Sequence, residues 1–115
     1  MSKPVATYLE EVLVAIDAIS LFLERIDGIE SYMADDLGQS AVERKLEIIG
    51  EAVNHLLEEY TQIVVPESRK IIGMRNRIIH GYDKLDIAVI YKAATNSLPR
   101  LKNAILQLLE HYKDA

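Results

Sequence analysis

Hydrophobic residues recur at steps of three and four from Val5 to Ile26, which is the spacing of one face of an α-helix. This stripe consists of Val5, Tyr8, Leu9, Val12, Ile16, Ile19, Leu23 and Ile26. It is widened by Leu13, Val14, Leu21 and Phe22. A helix that is apolar over so much of its circumference packs on more than one side. The pattern predicts a first helix that follows Pro4 and ends at Asp27-Gly28.

The middle of the chain predicts a short segment and then a long helix. Residues 29–37 have the pattern of a helix or a helical turn, which Gly38 is expected to break. Ser40-Ala-Val-Glu43 matches a capping box, so the next helix is predicted to begin there. Its buried stripe consists of Val42, Leu46, Ile49, Val53, Leu56, Leu57 and Tyr60. Residues 62–65 are too few to form a strand pattern and predict a connector.

Two further helical segments follow Pro66, which suits the first position of a helix. The first of them ends at Gly81, a residue typical of helix C-termini. Asp86 is a suitable cap for the last helix, which extends from about Ile87 to Tyr112. Its stripe consists of Ile87, Ile90, Ala94, Leu98, Leu101, Ile105, Leu108, Leu109 and Tyr112. Pro99 should kink or divide that helix, because proline lacks a backbone donor and clashes with the preceding turn. We therefore predict an all-α antiparallel bundle of four to five helices, with residues 1–115 forming a single domain.

Composition narrows the class of protein. Half of the 115 residues are hydrophobic but only 6% are aromatic, so Leu, Ile, Val and Ala must form most of the core. The absence of cysteine excludes a disulfide scaffold, thiol catalysis and cysteine-ligated zinc. No apolar run approaches the ~20 residues of a membrane span. Glu10 and Glu11 interrupt the N-terminal region too early for a signal peptide. We expect a soluble cytoplasmic protein without a membrane partner.

The net charge of −5 conceals an asymmetry along the chain. Residues 1–68 carry 4 Lys/Arg and 14 Asp/Glu, a balance of −10, whereas residues 69–115 carry 9 and 4, a balance of +5. The stretch from Arg69 to Lys84 contains five positive residues and one acidic residue, Asp83. Such a local excess is suited to a phosphate backbone. The alternative is that acidic and basic helices pair within the fold or across a dimer.

The segment from Gly73 to Tyr82 concentrates polar chemistry in few positions. On a helix, Asn76 and His80 are four residues apart and share a face. A histidine can take a proton from a ribose 2′-hydroxyl or give one to the leaving 5′-oxygen. Arg75 can hold the phosphate and stabilise its developing charge, while Asn76 orients a hydroxyl or the phosphate. The alternative is a solvated surface in which Arg and His interact favourably with the C-terminal end of the helix dipole.

The pattern Arg75-Asn76-x-x-x-His80-x-Tyr82 resembles the signature of HEPN-domain ribonuclease toxins of the HepT-like family. The resemblance extends in order over nearly the whole chain, through residues 41–46, 48–52, 73–82 and Asp86. Members of that family often carry a tryptophan shortly after the position of Pro66, and this chain has none. This difference concerns local packing more than chemistry.

The resemblance implies a HEPN-type helical fold that dimerises and brings two copies of the motif into one cleft. It implies a metal-independent endoribonuclease that acts as a toxin, with Arg75, His80 and Asn76 as catalytic residues and no cofactor. It also implies a minimal nucleotidyltransferase antitoxin as partner, which transfers AMP from ATP to Tyr82. The attached AMP would bring anionic phosphates and bulk into a cationic cleft and block RNA.

Three further residues are candidates for a supporting role. Glu47 and Glu51 lie on one helix face with Arg44, and either glutamate is a candidate to hold the motif in position. The alternative is that Arg44 and Glu47 form a solvated ion pair that adds little stability. Arg77 is a candidate to bind RNA or to form an intramolecular ion pair. His55 and His111 are interpreted as surface residues, and the three histidines share no metal-ligand spacing. Two other functions remain open from the residues alone: a non-catalytic helical module that docks a nucleotidyltransferase, and a purely structural helical dimer.

Overall fold

The protein is an all-α bundle, as predicted. A computed structural model describes residues 3–81 and 86–113, and within these ranges it contains helices and no strand. The helices are α1 (Val5–Leu23), α2 (Gly28–Met33), α3 (Asp36–Glu59), α4 (Ser68–Ile79), α5 (Ile87–Lys92) and α6 (Leu98–Tyr112). A π-helical turn, Ala93–Ser97, joins α5 to α6 without a break, so the described chain forms five helical rods.

The core lies where α1 packs against α3 and α6. α3 in turn packs against α4, and the short α2 packs against α3 and α5. Most of the fully buried side chains come from the predicted stripes, whereas Tyr32 and Ile71 lie outside them. Those from the stripes include Leu9, Val12, Ile16, Ile19, Leu46, Ile49, Leu56, Leu101 and Ile105. The helical periodicity therefore identified correctly which faces turn inward. α4 depends on α3 for its position, because the contact with α3 is its main contact in the described bundle.

α1 packs on more than one side, as its wide apolar circumference predicted. Two of the residues that widen its stripe nevertheless remain outside the core, because Val14 is 68% exposed and Leu21 is 55% exposed. None of the helices described combines the length and the apolar character needed to cross a bilayer.

α3 begins at Asp36, earlier than the predicted start at Ser40. Asp35 is the N-cap, and its Oδ1 accepts a hydrogen bond from the Gly38 backbone N–H at 2.8 Å. Gly38 lies inside the first turn of α3 and does not interrupt the helix, so the prediction that it ends a helical segment was wrong. Its role is a close approach, because a Cβ at this position would overlap the ring of Phe22 at the end of α1. The capping-box pattern at Ser40 failed because Asp35 already provides the cap.

α4 begins at Ser68, two residues after Pro66, which does not take the first helical position. Glu67 precedes the helix with a φ of 68°, in the left-handed region that costs a non-glycine residue about 1–2 kcal/mol. Its Oε1 accepts hydrogen bonds from Nε and a terminal nitrogen of Arg100, both at 2.8 Å. This forked ion pair connects the start of α4 to α6 and helps to hold Glu67 in its conformation.

The last helix is capped as predicted and tolerates its proline without dividing. Asp86 Oδ1 accepts hydrogen bonds from the backbone N–H groups of Ala88 and Val89 at 3.0 and 3.4 Å. The π-helical turn comes directly before α6, in which Pro99 occupies the first turn. A wider turn accommodates the missing N–H of proline. The Thr95 hydroxyl donates to the Tyr91 carbonyl at 3.0 Å, so a side chain satisfies backbone at this irregularity.

The cap of α3 generates a stability prediction. Replacing Asp35 by alanine removes the acceptor for the Gly38 N–H and should lower the free energy of unfolding by about 1 kcal/mol. Ser40→Ala is the matched control, because Ser40 lies inside the helix, where alanine is favourable. Urea unfolding followed by circular dichroism measures both. Equal losses in the two variants would contradict the assignment of the cap.

Candidate active site

α4 carries the polar motif and is seated on α3 by its apolar side. Ile71 is buried completely and Met74 nearly so, while Arg69, Lys70 and Arg77 are exposed. Gly73 lies in the middle of α4, and the helix continues through it. The helix therefore presents one face to the core and holds its cationic side chains outward.

The position of Arg75 is determined by a glycine on the facing helix. A Cβ at Gly50 of α3 would overlap Arg75 Cβ, and it would lie 2.8 Å from Arg75 Cγ and 3.3 Å from the Ile71 carbonyl oxygen. No residue larger than glycine fits here without displacing the backbone of α4. The stem of Arg75 thus lies directly over the α3 backbone, and its head is directed from a fixed base.

Arg75 and Asn76 are in direct contact. A terminal guanidinium nitrogen of Arg75 donates to Asn76 Oδ1 at 2.7 Å. Arg75 Nε is buried and has no hydrogen-bond partner among the described residues. An unsatisfied buried donor costs about 1–3 kcal/mol, so this guanidinium is held by packing more than by its own hydrogen bonds. Asn76 fixes one edge of the Arg75 guanidinium.

His80 is the C-cap of α4, one turn beyond Asn76. Its backbone N–H donates to the Asn76 carbonyl at 3.1 Å, and its side chain is exposed. Asn76 and His80 are four residues apart on the same helix face, as the spacing predicted, while Arg75 is about 140° round from His80 on an ideal helix. Gly81 follows with a φ of +61°, a conformation that glycine adopts at low cost and that ends the helix.

The predicted modification site, Tyr82, lies outside the described residues. The described chain stops at Gly81, directly after the C-cap, and resumes at Asp86.

The supporting residues are placed differently from one another. Glu47 Oε2 accepts from Arg44 at 2.7 Å, and Arg44 is 62% exposed, so this pair is solvated and adds little stability. Glu51 is half-buried on α3, next to Gly50 in the chain, and none of the described hydrogen bonds joins it to the motif. Arg77 points to solvent on the outer face of α4 and forms no ion pair with a described carboxylate.

Gly50 is the residue that sequence reasoning missed. It appeared only within the run 48–52 that carries the family resemblance, with no role of its own. The sequence did contain one indication, which was the position of Gly50 inside a long predicted helix. A glycine there costs about 1 kcal/mol relative to alanine, so its presence indicates a close packing contact. Only the three-dimensional contact with Arg75 shows that reason.

The described residues contain no group of three or more His, Asp or Glu side chains able to hold a metal ion. What the arrangement offers is a positioned guanidinium, an amide that orients it, and an imidazole at the exposed end of the same helix. These groups can bind an anion and transfer protons.

Comparisons with known proteins agree on one family. The family model described as ribonuclease HepT-like matches residues 12–108. A protein of Thermococcus cleftensis named "Probable ribonuclease HepT" is 34% identical over 110 residues, which cover 94% of this chain and 98% of the relative. A protein of Caldanaerobacter subterraneus subsp. tengcongensis named "Putative RNase" is 33% identical over 110 residues, which cover 92% and 95%. No solved structure gives a significant match.

The contact between Gly50 and Arg75 predicts opposite effects for two glycine substitutions. Gly50→Ala should lower the free energy of unfolding by about 1–3 kcal/mol, because the added methyl group pushes α4 away from α3. Gly73→Ala meets no atom within 4 Å and should raise it by about 0.5–1 kcal/mol through helix propensity. Denaturant unfolding of both variants checks the pair. Equal behaviour of the two would refute the role assigned to Gly50.

Proposed function

Because the chain belongs to the HepT-like ribonuclease family, we propose that it is the toxin of a toxin–antitoxin pair, a metal-independent endoribonuclease that an antitoxin silences by modification. The family membership agrees with the endoribonuclease activity predicted from the motif. The observation that supports the assignment of the site is the seating of Arg75 on Gly50, with Asn76 bonded to its guanidinium.

The chemistry proposed is cleavage by the neighbouring ribose hydroxyl. His80 accepts the proton of the 2′-hydroxyl, the 2′-oxygen attacks phosphorus, and the bond to the 5′-oxygen breaks. The leaving oxygen takes a proton, so the products are a 2′,3′-cyclic phosphate and a 5′-hydroxyl. Arg75 neutralises charge that develops on the non-bridging phosphate oxygens, and its contact with Asn76 reduces the reorganisation needed. No step of this sequence needs a metal ion.

A homodimer is part of this proposal. One chain supplies a single motif histidine, whereas the base and acid steps can be shared between two copies of His80 that face one cleft. Val14 and Leu21 of α1 are apolar and exposed in the single chain, so surface suited to burial against another copy is present.

The proposed regulation acts on Tyr82. A minimal nucleotidyltransferase partner would transfer AMP from ATP to the tyrosine oxygen and release pyrophosphate. Tyr82 is two residues from His80 in the chain, so an attached AMP stays near the site. Its phosphate would pair with the cationic groups of α4 in place of RNA.

Substitutions in the motif test the catalytic assignment. Arg75→Ala and His80→Ala should each lower the rate of RNA cleavage by roughly 100- to 10,000-fold, since a charge-stabilising or proton-transferring group is lost. Arg75→Lys should also lose most activity, because an ammonium cannot reproduce a forked phosphate contact. Cleavage of a fluorogenic RNA, with helicity monitored by circular dichroism, measures this.

His55→Ala is the matched control, since His55 is exposed on α3 outside the motif. Full cleavage by either alanine variant of the motif would reject the assignment. A wild-type protein that gains AMP but never cleaves RNA would favour the non-catalytic docking module.

Tyr82→Phe tests the regulatory part. The variant keeps the ring and loses the acceptor oxygen, so we expect it to fold, to retain at least part of the ribonuclease activity, and to escape silencing by the nucleotidyltransferase. Co-expression with that partner, scored by growth and intact mass, gives the answer. Tyr91→Phe is a control for the loss of a tyrosine hydroxyl elsewhere. A Tyr82→Phe protein that is still modified and silenced would place the modified residue elsewhere.

A further inference from the structure

A groove runs along the outer side of α4, away from the contact with α3. It consists of two adjoining cavities of about 380 and 290 Å³, which share Lys70, Met74 and Val89 in their walls. α4 forms one wall, and α5 with the π-helical turn forms the other. We call this feature the α4–α5 groove.

The walls of the α4–α5 groove carry one sign of charge. Arg69, Lys70, Arg77 and Lys92 line it, and no described acidic residue does. None of these four is paired with a carboxylate in the part of the chain that the structure describes, whereas Arg100 at the edge is engaged by Glu67. Four like charges around an open concave surface attract a polyanion, even though the chain as a whole is acidic.

Gly73 gives a second and independent reason to expect a ligand. It lies in the wall of the groove and in the middle of α4, where glycine lowers helix stability. Its φ is not in the left-handed region, and a Cβ built on it meets no atom within 4 Å. The fold itself therefore does not require glycine here. A bare stretch of helix beside a row of cations allows an outside molecule to approach the backbone closely.

The groove runs toward the end of α4 that carries His80. Gly73 and His80 are seven residues apart, which places them on one side of α4 at a separation of about 10 Å along its axis. Arg77 lies between them on the helix and lines the groove. An extended ligand that followed the groove past Gly73 would reach the exposed end of α4, where His80 is the C-cap.

We propose that the α4–α5 groove binds the sugar–phosphate backbone of single-stranded RNA and guides it to His80, with Lys70, Arg77 and Lys92 contacting phosphates and Gly73 leaving room for the strand. This inference rests on the ribonuclease function proposed above and assigns the path of its substrate. The exposed side chain of Val89 and the side chain of Met74 form an apolar surface in the groove. Bases can pack against this surface without forming base-specific hydrogen bonds. The groove therefore binds RNA with little preference for sequence.

A second copy of the chain is the competing occupant. The same groove on two copies would bring four positive charges against four, which disfavours a symmetric contact. An acidic face of another copy would be compatible in charge. The experiment must therefore follow RNA binding and assembly separately.

The binding experiment uses full-length protein carrying His80→Ala and a fluorescein-labelled oligouridylate, measured by fluorescence anisotropy over a range of salt concentrations. Adding Lys70→Ala and Lys92→Ala should raise Kd by about tenfold at low salt. It should also reduce the slope of log K against log salt by about 0.7 for each phosphate that the variant no longer binds. The matched control adds Lys45→Ala and Lys102→Ala, which remove the same charge from α3 and α6, outside the groove.

Gly73→Leu separates a shaped groove from diffuse charge. A Cβ at this position meets no atom within 4 Å, and leucine favours the helix more than glycine does. The variant should therefore fold with an unchanged or raised midpoint of thermal unfolding. It leaves the net charge unaltered but fills part of the groove, so Kd for the oligouridylate should rise by several-fold. Unaltered binding by Gly73→Leu, or equal weakening by the groove and control lysine pairs, would overturn the proposal.

Cleavage and assembly complete the test. In the enzyme with His80 intact, the groove variants should raise KM for RNA more than they lower kcat, and sedimentation should show the wild-type assembly state. A wild-type protein that cleaves RNA, with groove variants that cleave and bind like the control pair, would refute the groove alone. Absence of cleavage by the wild type would refute the proposed function. A changed assembly state with unchanged RNA affinity would assign the groove to a contact between copies.

Discussion

The absence of a side chain at Gly50 is the constraint on which the candidate site depends. It allows α4 to settle on α3 so closely that the Arg75 stem lies against the α3 backbone. Ile71 and Met74 are then buried on the same side, and the motif gains a rigid base. Sites built on packed helices hold their groups more precisely than sites on loops. From this base the Arg75 guanidinium donates a hydrogen bond to Asn76 Oδ1.

The three glycines in and around α4 are not equivalent. Gly50 allows contact between helices, Gly81 allows the chain to turn out of the helix with a positive φ, and Gly73 has neither role within the described fold. The first two stabilise a specific arrangement of this chain. The third weakens α4 without any internal compensation, which is the reason to look outside the chain for its purpose.

Basic residues are concentrated from α4 onward although the chain as a whole is acidic. The acidic residues are concentrated in the part of the chain that forms α1 to α3, and the basic excess begins at Arg69. The two parts do not neutralise each other around the motif: the ion pair between Glu67 and Arg100 joins α4 to α6 at the far end, and Glu47 is engaged by Arg44. The cations of the α4–α5 groove have no carboxylate partner among the described residues, and the field that they produce is strongest at low ionic strength.

The sequence by itself determined the class of fold, the inward faces of the helices and the order of the motif residues. Periodicity reports burial directly, so the stripes of α1, α3 and α6 were predicted from spacing alone. Helix starts were predicted less reliably than buried faces. The N-cap of α3 is Asp35 and not Ser40, and α4 begins at Ser68 and not at Pro66. At the start of α3 a neighbouring residue already provides the cap, whereas α4 begins after a left-handed Glu67 that forms an ion pair with Arg100 of α6.

Only the tertiary structure distinguishes the glycines at positions 38, 50 and 73 from one another. In the sequence each is equally a helix-weakening residue, and the difference lies in what a Cβ would meet: Phe22 at Gly38, Arg75 at Gly50, and open space at Gly73. Likewise, the spacing of Asn76 and His80 predicted a shared face, but it could not show that the stem of Arg75 packs on the backbone of another helix while its guanidinium donates to Asn76. Contacts between residues distant in the chain depend on how the helices approach one another, and close packing of the finished core sets that distance.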